Sequence, residues 1–92
     1  MEINDTLKQR QSTHGTFKAN AKVSQGICEC LRLGDSYAAL TDAQVEALEM
    51  IAHKMARIVN GTADFADHWH DIAGYAKLAE QLCTNYDGAI DE

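Results

Sequence analysis

The chain has 92 residues, of which 14 are acidic and 8 basic, for a formal net charge of −6 and a hydrophobic share of 46%. A chain of this length forms one small domain, and its negative charge without a basic cluster argues against nucleic acid as a partner, because that binding comes mainly from neutralising phosphates. The first residues lack the basic start and apolar core of a signal peptide, and no apolar run approaches the ~18 residues of a membrane span, so we expect a cytoplasmic protein without a membrane partner.

Apolar residues recur at spacings of three and four rather than in alternation, which is typical of helices. We predict an all-α fold, a small bundle of one domain over 1–92, with 1–15 and 85–92 loosely ordered. The three main helices are predicted at about 16–33, 42–60 and 64–84, preceded by a short N-terminal helix. Because so short a chain buries only about two-thirds of its unfolded surface, we expect it to form a homo-oligomer.

The N-terminal part of the chain carries the weaker helical pattern. A short helix at about 4–11 has Leu7 as its one apolar anchor, and His14-Gly15 is typical of a turn. The next helix is predicted to pack through one face, which comprises Phe17, Ala21, Ser24, Cys28 and Leu31.

The central part of the chain predicts an αα-hairpin. Thr41 and Gln44 match a capping box, so a helix should begin at Asp42. Its apolar stripe comprises Val45, Leu48, Ile51, Ala52, Met55, Ile58 and Val59. Asn60-Gly61 tolerates left-handed backbone angles and can close this helix. The stripe of the next helix comprises Phe65, Trp69, Ile72, Ala73, Ala76 and Cys83. Because the connecting turn is short, the two helices should run antiparallel.

Cysteine and histidine spacing gives little support for a transition-metal site. Cys28, Cys30 and Cys83 form no Cys-x-x-Cys pair and are interpreted as ordinary thiols. His68 and His70 lie about 200° apart on a helix and cannot share one metal ion.

Acidic side chains form one stripe on each helix of the predicted hairpin. At about 100° per residue, the first stripe comprises Glu46, Glu49, His53 and Arg57. The second stripe comprises Asp64, Asp67, Asp71 and Tyr75. Two acids from each of two antiparallel helices can hold a hard cation such as Mg²⁺, with coordination positions left for substrate phosphates. Counting outward from the turn predicts that Glu49 and Asp71 lie within about one helical turn.

The alternative interpretation is that both acidic stripes are solvated faces. An amphipathic surface helix carries its charges opposite its apolar stripe. Lys54 and Arg57 are also available to pair with Asp64, Asp67 or Asp71, and exposed pairs of this kind contribute only ~0–1 kcal/mol.

The end of the second hairpin helix is apolar on both sides, since Tyr75, Leu78 and Leu82 continue the acidic stripe. A helix that is apolar all round is usually buried on both sides. We therefore expect another subunit, or the helix that contains Phe17, to cover this face, which would place the acids at the rim of an interface.

Over about residues 5–83 the chain resembles a family of small phage and prophage proteins of unknown function. The resemblance is carried by Thr13-His14-Gly15-x-Phe17-x-x-Asn20-Ala21, by Glu46-Ala47-Leu48-x-Met50-Ile51-Ala52-x-Lys54-x-x-Arg57-Ile58, and by Asp64-Phe65-Ala66-Asp67-His68-Trp69-x-Asp71-Ile72-Ala73-Gly74-Tyr75-Ala76. The helices in turn look like a reduced version of the MazG-type all-α nucleoside triphosphate pyrophosphohydrolases.

The MazG resemblance implies a particular carboxylate pattern. That group holds Mg²⁺ against a triphosphate with Glu-x-x-Glu on one helix and Glu-x-x-Asp on the next, and it works as dimers or tetramers. Glu46-x-x-Glu49 matches the first element. The second element is altered, because Asp64-x-x-Asp67 or His68-x-x-Asp71 stands in its place, and the acid that usually precedes the first motif is replaced by Val45.

Two functions follow as hypotheses. The first is a phage-encoded, MazG-like and Mg²⁺-dependent nucleotide pyrophosphohydrolase in the host cytoplasm, in which His53 and Lys54 neutralise developing charge. Its metal ligands would be Glu46, Glu49, Asp67 and Asp71. The second is a non-catalytic binding module that sequesters a nucleotide or docks on a host protein. The altered second motif favours this alternative, since a domain can keep its helices and a nucleotide pocket after losing the metal.

Overall fold

The computed structural model describes residues 2–87, which contain four α-helices. These are α1 (Ile3–His14), α2 (Phe17–Leu31), α3 (Asp42–Asn60) and α4 (Ala66–Gln81), with a 3-10 turn at Tyr37–Ala39 between α2 and α3. No strand occurs in this part of the chain, so the predicted all-α class is confirmed. The N-terminal helix is longer than predicted, and part of the predicted mobile tail, 88–92, lies outside the described residues.

Local sequence signals set the start of the two best-formed helices. The hydroxyl of Thr41 accepts a hydrogen bond from the backbone N–H of Gln44 at 3.1 Å, and the Gln44 side chain accepts one from the Thr41 N–H at 3.0 Å. This is the predicted capping box, and α3 begins at Asp42 as expected. Thr16 caps α2 in the simpler way, by accepting from Ala19 N–H at 3.2 Å.

Helix α3 is the central element, and both α2 and α4 pack against it. The start of α2 lies beside the end of α3, where the side chains of Asn20 and Asn60 are hydrogen-bonded, so these helices run antiparallel. The buried residues of α3 are alanines, namely Ala47, Ala52 and Ala56. Because alanine has a short side chain, these buried positions contribute little apolar volume to the core.

The single chain is more extended than a typical globular domain of its size. Its radius of gyration is 15.5 Å, whereas about 12 Å is expected for this length. Many large apolar side chains are exposed, namely Ile3, Leu7, Phe17, Leu33, Met55, Val59, Trp69, Leu78 and Leu82. Among the described helices, none combines the length and the apolarity needed to cross a membrane.

The predicted packing faces are partly wrong. Phe17 and Trp69 were expected in the core, but they are 88% and 55% exposed. His68 instead is only 1% exposed, and further along α4 the half-buried residues include Ile72 and Tyr75. Helix α4 is therefore rotated toward the side that carries His68. Ser24 and Cys28 on α2 are buried as predicted.

Candidate functional site

The carboxylates predicted as metal ligands are distributed along α3 and α4. Glu46 and Asp67 are exposed, whereas Glu49 and Asp71 are half-buried. Within residues 2–87, no three His, Cys, Asp or Glu side chains lie close enough together to hold a metal ion. Within a single chain, the four predicted ligands are therefore not assembled into one group.

The structure does bring together Lys54 and Asp71, one residue from each helix of the hairpin. The Nζ atom of Lys54 lies 3.0 Å from Oδ2 of Asp71, and the Lys54 side chain is only 11% exposed. The hydrogen bond from Lys54 is the main reason that the pKa of Asp71 lies below its usual value. Asp71 is thus an ionised partner of a largely buried ammonium group. His53, the other predicted catalytic residue, precedes Lys54 and is exposed.

A shallow hollow of about 310 Å³ lies beside this ion pair on the surface of α4. It is lined by His70, Asp71, Gly74, Tyr75 and Leu78. Among residues 2–87, no neighbouring atom lies within 4 Å of the position that a Gly74 Cβ would occupy. No other helix of the single chain therefore packs on Gly74, and the hollow is an open groove.

The second notable region is the junction where the turn between α1 and α2 meets the turn between α3 and α4. The carbonyl of Thr13 accepts a hydrogen bond from the Thr62 N–H at 3.1 Å, and the Thr62 hydroxyl donates to the Ser12 carbonyl at 2.7 Å. A Cβ at Gly61 would lie 2.8 Å from the carbonyl carbon of His14. Gly61 follows the last residue of α3, as expected, but its φ of −116° is not left-handed, so glycine is needed there for space.

Two asparagines connect the junction to α2. The amide of Asn20 donates to the His14 carbonyl at 2.6 Å, and the amide of Asn60 donates to Oδ1 of Asn20 at 3.1 Å. Gly15 has a φ of +77°, and a Cβ there would lie 2.7 Å from the Cβ of Asn60. Glycine is therefore favoured at this position both by its backbone angle and by the close approach.

His68 lies at the centre of the junction. Its Nε2 donates to the Thr13 carbonyl at 2.9 Å, because a carbonyl can only accept. The His68 ring packs edge-on against the ring of His14 and lies 4.9 Å from the ring of Phe65. Trp69 stays at the surface, where its Nε1 donates to the Ala63 carbonyl at 2.8 Å. These contacts explain the rotation of α4.

The electrostatic environment of the junction lowers the pKa of His14. Burial is the main reason that this pKa lies below the usual 6.5, and electrostatic interactions with Arg57, His68 and Arg10 lower it further. Two arginines therefore act on the same ring from α1 and α3.

The junction was not predicted as a unit. From the sequence, Asn60 was expected to close α3 and His68 was considered only as a metal ligand, while Thr13 and Asn20 were given no structural role. Three of them fall in the segments that carry the family resemblance, namely Thr13, Asn20 and His68. That coincidence is the one signal in the sequence that marks them.

The family described as "Domain of unknown function (DUF6378)" matches residues 3–83. The chain belongs to this family. No curated protein and no solved structure matches the chain. Membership of DUF6378 agrees with the resemblance to a family of unknown function, while a phage origin and the likeness to MazG remain predictions.

The DUF6378 match covers all four helices of the described structure, including the junction and the hairpin. The family is therefore defined over the whole folded unit. The exposed groove on α4 and the ion pair between Lys54 and Asp71 both lie inside the matched range.

Proposed function

We propose that this chain is a non-catalytic binding module, a self-associating helical protein that holds a nucleotide without hydrolysing it. The observation that favours a non-catalytic role is the contact of 3.0 Å between Lys54 and Asp71. In the enzyme hypothesis, Asp71 is a metal ligand and Lys54 is a catalytic cation. Here the two charges neutralise each other, which favours a structural role for the pair.

Self-association is supported by the surface of the hairpin. Leu78 and Leu82 on α4 are 59% and 68% exposed, and Val59 on α3 is 68% exposed. Gly74 lies in an open groove on α4. An extended chain with a thin core gains stability when a second copy covers such apolar surface, at about 25 cal/mol per Å² of apolar area. We therefore propose a homodimer or a higher oligomer built around this face of α4.

The second candidate is the Mg²⁺-dependent, MazG-like pyrophosphohydrolase. It is favoured by the packing of α3 on α4, which places Glu49 and Asp71 on two adjacent helices. A bound Mg²⁺ supplies charge neutralisation at a phosphate and an activated water. This candidate requires the four predicted acids to come closer together than they do in the single chain.

A nucleotide assay separates the two candidates. The protein is incubated with canonical and modified nucleotides in the presence of Mg²⁺ or Mn²⁺, and mass spectrometry is applied to the free and the protein-bound fractions. We expect an intact nucleotide in the bound fraction and no hydrolysis. Release of pyrophosphate with a monophosphate, abolished in the double variant E49A/D71A, would contradict the proposal and support the enzyme. An unchanged and unbound pool would overturn nucleotide binding and favour docking on a protein.

A further inference from the structure

A cleft of about 270 Å³ opens where α1, the start of α2 and the end of α3 meet, next to the junction. Arg10 lines it from α1 and Arg57 from α3, and His14 also lines it. The predicted carboxylates do not line this cleft. It is therefore chemically distinct from the acidic stripes.

The charges in the cleft are unbalanced. The chain carries a net charge of −6 and has only three arginines, of which two line this one cleft. Among residues 2–87, the ion pairs within 4.0 Å are Lys54 with Asp71 and Lys77 with Glu80. Neither cleft arginine thus has a carboxylate partner in the described chain. Two like charges beside one cavity repel each other, and an anion between them would relieve the repulsion.

The two arginines in the cleft suit a phosphate ligand better than a simple ion. A guanidinium group presents several N–H donors in a planar fork that matches the oxygens of a phosphate. The positive field of Arg57 and Arg10 already disfavours the protonated form of His14. The same field would stabilise a negatively charged ligand in the cleft.

An apolar wall completes the cleft. Phe17 is 88% exposed and Leu7 is 49% exposed, and both border the cavity. Phe17 therefore offers a solvent-accessible aromatic ring at the edge of the cleft. Any nucleobase can stack on such a ring, and base stacking on an aromatic side chain is a common mode of recognition.

We infer that this cleft is a nucleotide site, in which Arg10 and Arg57 bind the phosphates and Phe17 stacks on the base. The inference deepens the proposed function and rests on it for the nature of the ligand. It places the ligand away from Lys54 and Asp71, so binding needs no rearrangement of that ion pair.

Isothermal titration with two probes, ADP and inorganic pyrophosphate, tests the site in the absence of a divalent cation. R10Q and R57Q should each weaken the binding of both probes by about tenfold, since each removes a hydrogen bond to a charged group. F17A should weaken ADP binding and leave pyrophosphate binding unchanged. R32Q is the matched control, because Arg32 is an exposed arginine at the end of α2, outside the cleft, and it should have no effect. Circular dichroism checks that each variant is folded. Because Arg10 is exposed, R10Q is the arginine substitution that should disturb packing least.

The outcomes distinguish this site from the proposed function. ADP binding that is insensitive to both R10Q and R57Q would overturn the site while leaving nucleotide binding in place. Arginine-dependent binding of pyrophosphate, without any binding of ADP, would overturn the nucleotide assignment at the cleft and the proposed function with it. Absence of binding of either probe to the wild-type protein would overturn both.

Discussion

At the residue scale, the junction depends on the absence of a side chain at Gly61. The backbone there lies against Thr13 and His14 so closely that a methyl group has no space. The contact allows the Thr62 N–H to reach the Thr13 carbonyl, which His68 also uses. Gly61, together with Gly15 on the other turn, thus allows the two turns to pack against each other.

Gly61→Ala should lower the free energy of unfolding by about 1–3 kcal/mol, the usual cost of overpacking. Gly26→Ala is the matched control, because Gly26 lies within α2 with nothing within 4 Å of its Cβ position. Alanine there should stabilise the helix by about 0.5–1 kcal/mol. Urea unfolding followed by circular dichroism measures both. Equal effects of the two substitutions would contradict the close contact at Gly61.

His14 should make stability depend on pH. Its folded pKa is lowered from 6.5, so the unfolded chain takes up a proton first as the pH falls. The contribution of His14 is therefore fully present above about pH 6.5 and is lost as the pH falls toward the lowered pKa. The urea midpoint of the wild type should be lower at about pH 5.5 than at about pH 7.5, and H14Q should remove most of this difference. A decrease of the same size in H14Q would show that another group is responsible.

At the element scale, α3 organises the fold because α2 and α4 both pack on it. Its start is fixed locally by Thr41 and Gln44, and its end is fixed by the junction at Asn60 and Gly61. A shift of α3 along its axis would therefore disturb the capping box at one end and the junction at the other.

Thr41→Ala should lower the free energy of unfolding by about 1 kcal/mol, because it removes the hydroxyl that accepts a hydrogen bond from the Gln44 N–H. Thr6→Ala is a suitable control, since Thr6 lies inside α1 and its hydroxyl makes only a long bond of 3.4 Å to Glu2. Thermal unfolding of the two variants gives the comparison. If T6A proved as destabilising as T41A, the special role of the capping box would be refuted.

At the scale of the whole molecule, the thin core and the exposed hairpin surface explain why a second copy is proposed. The buried apolar residues are small, and His68 and Ser24 are the largest side chains that are fully buried. Association would cover Leu78 and Leu82, which the single chain leaves in water.

Gly74→Phe should weaken self-association, because a large side chain would fill the open groove on α4 that we propose as the contact. Gly26→Phe places the same side chain at an open position on α2, so it serves as the control. Sedimentation velocity over a range of concentrations measures the effect. Association that survives G74F, or that is lost equally in G26F, would place the interface elsewhere.

Local patterns predicted the helices well because their signals lie within a few residues, as in the capping box at Thr41 and Gln44. The junction could not be predicted in this way. Its hydrogen bond from Thr62 to Ser12 joins residues 50 positions apart, and nothing in either local segment indicates the other. The burial of His68 was missed for the same reason, since its partner is the distant Thr13 carbonyl.

The acidic stripes show the limit of periodicity at the candidate site. Periodicity indicates which side chains share a face of a helix, but it does not indicate which residues that face contacts. Asp71 meets Lys54 in the structure, which was one of the pairings considered from the sequence. The exposure of Phe17 and the convergence of Arg10 with Arg57 depend on how α1 and α2 reach the end of α3.

Native mass spectrometry of the protein with ADP tests the central claim, a self-associating module that binds a nucleotide intact, because it reads assembly and ligand in one spectrum. We predict an oligomer, with a dimer as its smallest form, that carries ADP of unchanged mass, and we predict that the R10Q variant forms the same oligomer with a lower ADP occupancy, as expected for about tenfold weaker binding. A monomer that binds no ADP, or an oligomer that releases a shortened nucleotide, would contradict the claim.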